Sequence, residues 1–299
     1  MSWFVFALAA QIFYTVSAFI DRFLIEKRVK DAISLSVIGG TISFIVGFVI
    51  LIIRNFPSFP IEQIILVIIA GALFEISLFP YYKAIAIDDP SRVVPLYQTI
   101  PIFVLVLSFA FLGESLSLTQ LGGFALVLFG GFILSMKKPS LGVFKLRKSF
   151  WFMMAATATI AVGLILFKFV VDIQGVWDSL GYEYLGAGLG AFILYFSPFR
   201  QMNFLEAVKG IKRSTVAIIS ANETLWVLGR FATFFSSSLA PISLIAVIGG
   251  VQPIFMFLGG LVISIWLPNI IKEDLSGSAI KTKIIAIILA FLGIWLINK

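Results

Sequence analysis

The sequence predicts an all-α membrane protein of about ten transmembrane helices. Of its 299 residues, 60% are hydrophobic and only 12% are charged, whereas soluble domains average roughly 45–50% and about 25%. The apolar residues are gathered into runs of the length that an α-helix needs to cross a bilayer, about 20 residues. A β-barrel is not expected, because these runs do not alternate apolar with polar residues.

Ten apolar runs are predicted to be spanning helices, and the loops between them are too short to hold a soluble domain. In order, the runs are 3–20, 32–53, 64–87, 93–112, 118–135, 150–171, 180–199, 215–238, 241–267 and 284–298. The seventh run is the weakest, because it is rich in glycine and begins beside Glu183. The first run is not expected to be a cleaved signal peptide, because it lacks a preceding basic segment and is followed by Asp21 and Arg22.

The distribution of positive charge predicts how these helices are oriented. Of the 22 lysines and arginines, 18 are assigned to the side that the odd-numbered runs lead to and 4 to the opposite side. Because basic loops stay on the cytoplasmic side, we expect a cell-membrane protein with both termini extracytoplasmic. The basic residues lie in separate short connectors, so the net charge of +7 does not indicate a nucleic-acid-binding face.

The two halves of the chain are predicted to be inverted repeats of five helices each. The motif Pro-Ile-Phe occurs at 101–103 and again at 253–255, and each copy follows a run with a glutamate near its middle, Glu75 or Glu223. An odd number of helices per half turns the second repeat upside down, a common plan in secondary transporters with a midplane substrate site. The predicted repeats are residues 1–140 and 141–299.

Residues 70–136 carry the most distinctive motifs of the chain. They are Tyr-Tyr-Lys-Ala-Ile-Ala at 81–86, Pro-Ile-Phe at 101–103, Phe-Leu-Gly-Glu-Ser-Leu at 111–116, Gln-Leu-Gly-Gly at 120–123 and Gly-Gly at 130–131. In this stretch the chain resembles the first repeat of EamA-like proteins, which belong to the drug/metabolite transporter superfamily. The resemblance implies ten helices, a cavity between the halves, and export or exchange of small metabolites.

The second half departs from that pattern. About seven extra residues lie between Pro253 and the acidic pair Glu273-Asp274. Glu114 lies in the connector between the fourth and fifth runs. The resemblance does not extend its role in that connector to Glu273.

Glu75 and Glu223 are the first candidates for substrate-binding residues. A charged side chain at the centre of a spanning helix costs about 2.5–3.5 kcal/mol on insertion scales, so such residues usually face a cavity or a partner. A carboxyl that is neutral in one state and ionised in another can couple proton movement to transport. The alternative is a protonated glutamate that hydrogen-bonds a neighbouring helix.

Helical spacing adds further candidate substrate-binding residues near each glutamate. Residues three, four and seven apart share one face of a helix. That face carries Tyr82 beyond Glu75, and Trp226 and Arg230 beyond Glu223. Glu223 and Arg230 would lie about 10 Å apart along the axis, a spacing that suits the two ends of a small zwitterion, although Arg230 could instead pair with another helix.

The first run carries a polar stripe of Gln11, Tyr14 and Ser17. Such a stripe either lines a cavity or bonds another helix. Gln11 and Tyr14 are therefore also candidate substrate-binding residues.

These observations predict a secondary transporter rather than an enzyme. The expected activity is export or exchange of a small polar metabolite such as an amino acid, with protons as the candidate coupling ion. An uncoupled facilitator, a flippase for a lipid-linked substrate and, with less support, an intramembrane hydrolase remain alternatives. No cofactor is expected, because the sequence has no histidine or cysteine for zinc, haem or iron–sulfur sites. The expected partners are a small-molecule substrate and the lipid bilayer.

Overall fold

The computed structural model describes residues 2–29, 31–88, 90–136, 146–196, 211–266 and 277–299, together with positions 206 and 209. The described residues are almost entirely helical and contain no β-strand. The α-helices are α1 (Ser2–Leu24), α2 (Ala32–Ile53), α3 (Ile61–Ile76), α4 (Leu78–Ile87), α5 (Pro90–Val93), α6 (Ile100–Leu107), α7 (Leu118–Ser135), α8 (Lys148–Gln174), α9 (Val176–Tyr195), α10 (Arg213–Ser237), α11 (Ile242–Ile248), α12 (Gln252–Trp266) and α13 (Gly277–Ile297).

Seven helical segments of the described residues are long and apolar enough to cross a bilayer. They are Ser2–Val29, Ile33–Ile53, Ile61–Ile87, Val94–Leu112, Leu118–Ser135, Lys148–Gln174 and Ile242–Val262. They coincide with runs one to six and nine, so the prediction of a multi-pass helical membrane protein is confirmed. Runs seven, eight and ten fall on α9, α10 and α13, which are helices of 20, 25 and 21 residues. The predicted ends at 199 and 267 and the pair Glu273-Asp274 lie outside the described residues.

Polar side chains cap the N-termini of two of the helices. The Asp31 carboxylate accepts a hydrogen bond from the Ser34 backbone N–H at 2.8 Å and so caps α2. At the start of α7, Ser117 and Gln120 form a reciprocal capping box. Both arrangements satisfy N–H groups that have no partner within the helix, and they fix where these two helices begin.

Pro101 distorts the helix that contains it. The proline lacks the N–H that would donate to the Tyr97 carbonyl one turn earlier. The preceding residue, Ile100, donates to that carbonyl instead and closes a 3₁₀ turn over Val94–Thr99. The span therefore begins as a 3₁₀ segment, continues as α6 and ends in a π-helical turn over Ser108–Leu112.

Pro253 produces the same arrangement in the second half. Gln252 donates to the Gly249 carbonyl, which the proline cannot reach, and the residues Gly249–Val251 form a 3₁₀ turn between α11 and α12. The two Pro-Ile-Phe motifs thus have the same backbone hydrogen bonding.

Pro80 interrupts the third span, between α3 and α4. Because its nitrogen has no hydrogen, the Ile76 carbonyl loses its partner one turn on. The two helices meet at Ser77, whose hydroxyl donates to the Phe74 carbonyl at 2.6 Å. The break lies within one turn of Glu75.

Helix α9 packs closely against α2 and α3 through small residues. A Cβ at Gly186 would collide with the Ile68 carbonyl of α3, and one at Gly40 of α2 would collide with the Ala191 side chain. Small residues allow backbones to approach in this way within membranes. The glycines that weakened the prediction for run seven are therefore its packing surface.

Glu114 joins the two halves of the chain at one end of the bundle. Gly113 adopts a left-handed conformation (φ 66°) and ends the helical segment before it. This turn directs the Glu114 carboxylate to the start of α11, where it accepts hydrogen bonds from the backbone N–H groups of Ile242 at 2.9 Å and Ser243 at 3.4 Å. The motif that resembles the EamA connector thus acts as a helix cap.

Candidate functional site

A cavity of about 180 Å³ lies between α1, α2, the α3–α4 segment, α9 and α10. Its lining includes five of the seven candidate site residues: Glu75, Tyr82, Glu223, Trp226 and Arg230. Helices α2 and α9 are among its walls, because the glycines of α9 bring it against both α2 and α3.

Glu75 and Glu223 reach this cavity from opposite halves of the chain. Glu223 is 9% exposed and Glu75 is partly buried. Within the described residues, neither carboxylate has a hydrogen bond or an ion pair of its own. Gly39 of α2 makes room for Glu223, because a Cβ there would collide with the Glu223 carboxylate. The cavity therefore holds two acidic groups with no hydrogen-bonding partner in the described protein.

Arg230 forms an ion pair with Glu183, a partner that the sequence did not predict. Glu183 lies on α9, and the side chains of Arg230 and Glu183 are 6% and 1% exposed. The guanidinium carbon also lies 4.5 Å from the centre of the Phe74 ring and 5.6 Å from that of Tyr184. Oε2 of Glu183 and Nε of Arg230 have no hydrogen-bond partner within the described protein. Arg230 thus pairs with a residue of another helix, which is one of the two alternatives predicted for it.

Asp21 is a cavity residue that sequence reasoning missed. It was assigned to the loop after the first run, but α1 continues to Leu24 and a π-helical turn extends it to Val29. The Asp21 carboxylate accepts a hydrogen bond from Asn222 Nδ2 at 2.6 Å. The available signal was that Asp21 follows Tyr14 by seven residues and so shares its helical face.

Aromatic rings cover much of the remaining wall. Tyr82 shares a hydrogen bond of 2.9 Å with the Ser36 hydroxyl of α2. Trp226 packs against Tyr14 with ring centres 4.9 Å apart and against Phe74 at 6.0 Å. Tyr14 thus lies behind Trp226 rather than in the cavity lining.

Gln11 is placed away from the cavity. It is buried, and its backbone carbonyl accepts a hydrogen bond from the Thr15 hydroxyl at 2.7 Å. Tyr14 itself is bonded to the Thr233 hydroxyl of α10 at 3.1 Å. Tyr14 therefore bonds another helix, whereas the hydrogen bond at Gln11 stays within α1 and the buried Ser17 hydroxyl has no hydrogen-bond partner in the described protein.

The comparisons with known proteins agree with this architecture. A crystal structure of a protein superimposes over 99% of this chain and 96% of its own length with a TM-score of 0.70 and 15% sequence identity, which supports the fold alone. No curated protein sequence matches the chain. The model of the EamA-like transporter family matches residues 1–136, the part that contains Glu75 and the connector motif. Over these residues, the chain is therefore similar to the EamA-like transporter family.

Proposed function

We propose that this protein is a proton-coupled secondary transporter that exports or exchanges a small polar metabolite. The observation that carries the proposal is that Glu75 and Glu223, one from each half of the chain, line one cavity. A transporter site formed where two repeats meet can be exposed to either side of the membrane by movement of one repeat against the other. Intramembrane carboxyls in such a position are typical of proton relays.

The packing of the helices supports ten spans in two inverted repeats. If the second half repeats the first, each contact between helices should have an equivalent after exchange of the halves. The contact of α1 with α10 has its equivalent in α8 with α3, and that of α6 with α8 in α12 with α1. The pairs α2–α9, α7–α13 and α6–α11 are their own equivalents. The matching 3₁₀ turns before Pro101 and Pro253 support the same symmetry.

The position of the cavity supports loading from the cytoplasm and therefore export. Among its lining residues are Asp21 and Ile25 near the end of α1 and Leu35 near the start of α2. The loop between these helices is basic, with Lys27 and Arg28, and basic loops are cytoplasmic. A substrate would enter from that side when the protein is in this conformation.

Flux measurements on purified protein in liposomes would test the proposal. The panel is labelled amino acids, amines, nucleobases and sugars, each assayed with and without a pH gradient. We expect saturable uptake of at least one class that is accelerated by an outwardly directed proton gradient. Uptake that is indifferent to the gradient would identify a facilitator, and lipid scrambling without solute uptake would identify a flippase; either result overturns proton-coupled solute transport.

A further inference from the structure

The cavity has more acidic than basic groups. Asp21, Glu75 and Glu223 line it, and Arg230 is the one cation among the described residues of its lining. The Arg230 guanidinium is already paired with Glu183. A substrate carboxylate would therefore compete with a buried ion pair and would face three acidic groups.

The two glutamates are also the groups that are free to bind a ligand. Asp21 receives a hydrogen bond from Asn222, whereas Glu75 and Glu223 receive none in the described part of the chain. An ammonium or guanidinium group would supply the missing donors. Hydrogen bonds between oppositely charged groups are stronger than those between neutral ones.

Aromatic faces complete an environment that suits a cation. Phe74, Tyr82, Tyr184 and Trp226 line the same cavity as the acids. The face of an aromatic ring attracts a cation, and tryptophan does so most strongly. Arg230 already lies over Phe74 and Tyr184, whereas Trp226 lines the same cavity as the two glutamates.

We infer that the substrate is an organic cation, an amine or guanidine that has no carboxylate of its own, bound between Glu75 and Glu223 with its apolar part against Trp226. This inference rests on the proposed function and narrows its small polar metabolite. An organic cation differs from the amino acid that the sequence predicted as substrate. Arg230, the residue that would bind an amino acid's carboxylate, is paired with Glu183 instead.

Calorimetric titration of the full chain in detergent at neutral pH would test the inference without any gradient. The probes are phenethylammonium, phenylalanine and 3-phenylpropionate, which share one carbon frame, and agmatine as a cation without a ring; a micelle blank corrects for partitioning. We expect the two cations to bind and phenylalanine to bind at least about tenfold more weakly, with no binding of 3-phenylpropionate. Tighter binding of either carboxylate, or no binding of either cation, overturns the inference.

Variants locate the binding in this cavity. Glu75→Gln and Glu223→Gln should each raise the Kd for phenethylammonium about tenfold or more, and Trp226→Leu should raise it more than Trp226→Phe, which keeps a ring. Glu62→Gln is the matched control, because Glu62 is an exposed acid on α3, the same helix as Glu75. Unchanged affinity in both cavity glutamine variants, with melting temperatures equal to that of the parent protein, overturns the assignment.

The two proposals fail in different ways. If the cations bind but no solute is driven by a pH gradient, the cation site stands and proton-coupled transport is wrong. If an amino acid is transported in a gradient-dependent way and the cations do not bind, transport stands and the cation site is wrong.

Discussion

At the scale of single residues, Glu75 and Glu223 differ in their surroundings although both line the cavity. Glu223 lies against the backbone of Gly39 and on the helix that carries Trp226. Glu75 lies beside the break between α3 and α4. We propose that Glu75 carries the proton and that Glu223 makes more of the direct contact with substrate.

Glu75→Gln should abolish the response to a pH gradient and retain part of the substrate exchange. The amide keeps the size and hydrogen bonding of the neutral acid but cannot release a proton, so a gradient has nothing to drive. Counterflow and gradient-driven uptake, measured on the same preparation, check this expectation. Full gradient-dependent transport by both Glu75→Gln and Glu223→Gln would mean that the glutamates are structural.

Arg230→Met should destabilise the protein by about 3–5 kcal/mol, because removal of one partner leaves the other charge buried and unpaired. The buried carboxylate in this case is that of Glu183, which is 1% exposed. Thermal or denaturant unfolding in detergent measures the loss. Adding Glu183→Met should recover much of it, because no unpaired charge then remains.

A different result would favour the role that the sequence predicted for Arg230. If Arg230→Met keeps its stability but loses substrate affinity, the guanidinium contacts the substrate. The double variant separates the two cases, because it restores the fold in one and cannot restore binding in the other.

Sequence reasoning found most of the cavity's polar residues but not their partners. Helical spacing from the two glutamates led to Tyr82, Trp226 and Arg230, since residues on one face of a helix stay together whatever the tertiary structure. In the sequence, Glu183 served only to weaken the prediction that run seven is a spanning helix. Its pairing with Arg230 could not be predicted, because Arg230 lies on another helix.

At the scale of helices, the contact between α7 and α13 depends on glycine at specific positions. A Cβ at Gly123 would lie 2.6 Å from the backbone carbonyl oxygen of Gly293, whereas a Cβ at Gly122 would have no atom within 4 Å. The adjacent residues are thus a matched pair on one helix. One faces α13 and the other is exposed.

Gly123→Ala should destabilise the protein by about 1–3 kcal/mol, because the two backbones must separate to admit the methyl group. Gly122→Ala should be neutral or slightly stabilising, because alanine is the better helix former. Thermal unfolding of the two variants in the same detergent gives the comparison. Equal melting temperatures would contradict the close packing of α7 on α13.

Helix positions were predictable because hydropathy is a property of each segment by itself. The apolar runs coincide with helices, and Pro101 and Pro253 occur at the distortions that the missing N–H requires. The interruption beside Pro80 was not predicted, although the same missing donor causes it.

At the scale of the whole molecule, the charge bias predicts that a reporter fused to the C-terminus reports an extracytoplasmic location. Of the 22 lysines and arginines, 18 belong to the predicted cytoplasmic side, and such loops resist translocation. Paired alkaline phosphatase and fluorescent protein fusions measure the location. A fluorescent C-terminal fusion with no phosphatase activity would mean that the number of spans is odd or the orientation reversed.

The sequence by itself determined that this is a helical membrane protein, where its helices lie, and which two glutamates are the first candidates for its site. These follow from local quantities: the apolar content of a run, the spacing of residues on one helix, and a proline's missing N–H. Only the tertiary structure decided that α2 and α9 wall the cavity, that Asp21 belongs to it and that Arg230 is paired with Glu183. Those relations join residues on different helices, and they depend on how closely small residues let the helices pack.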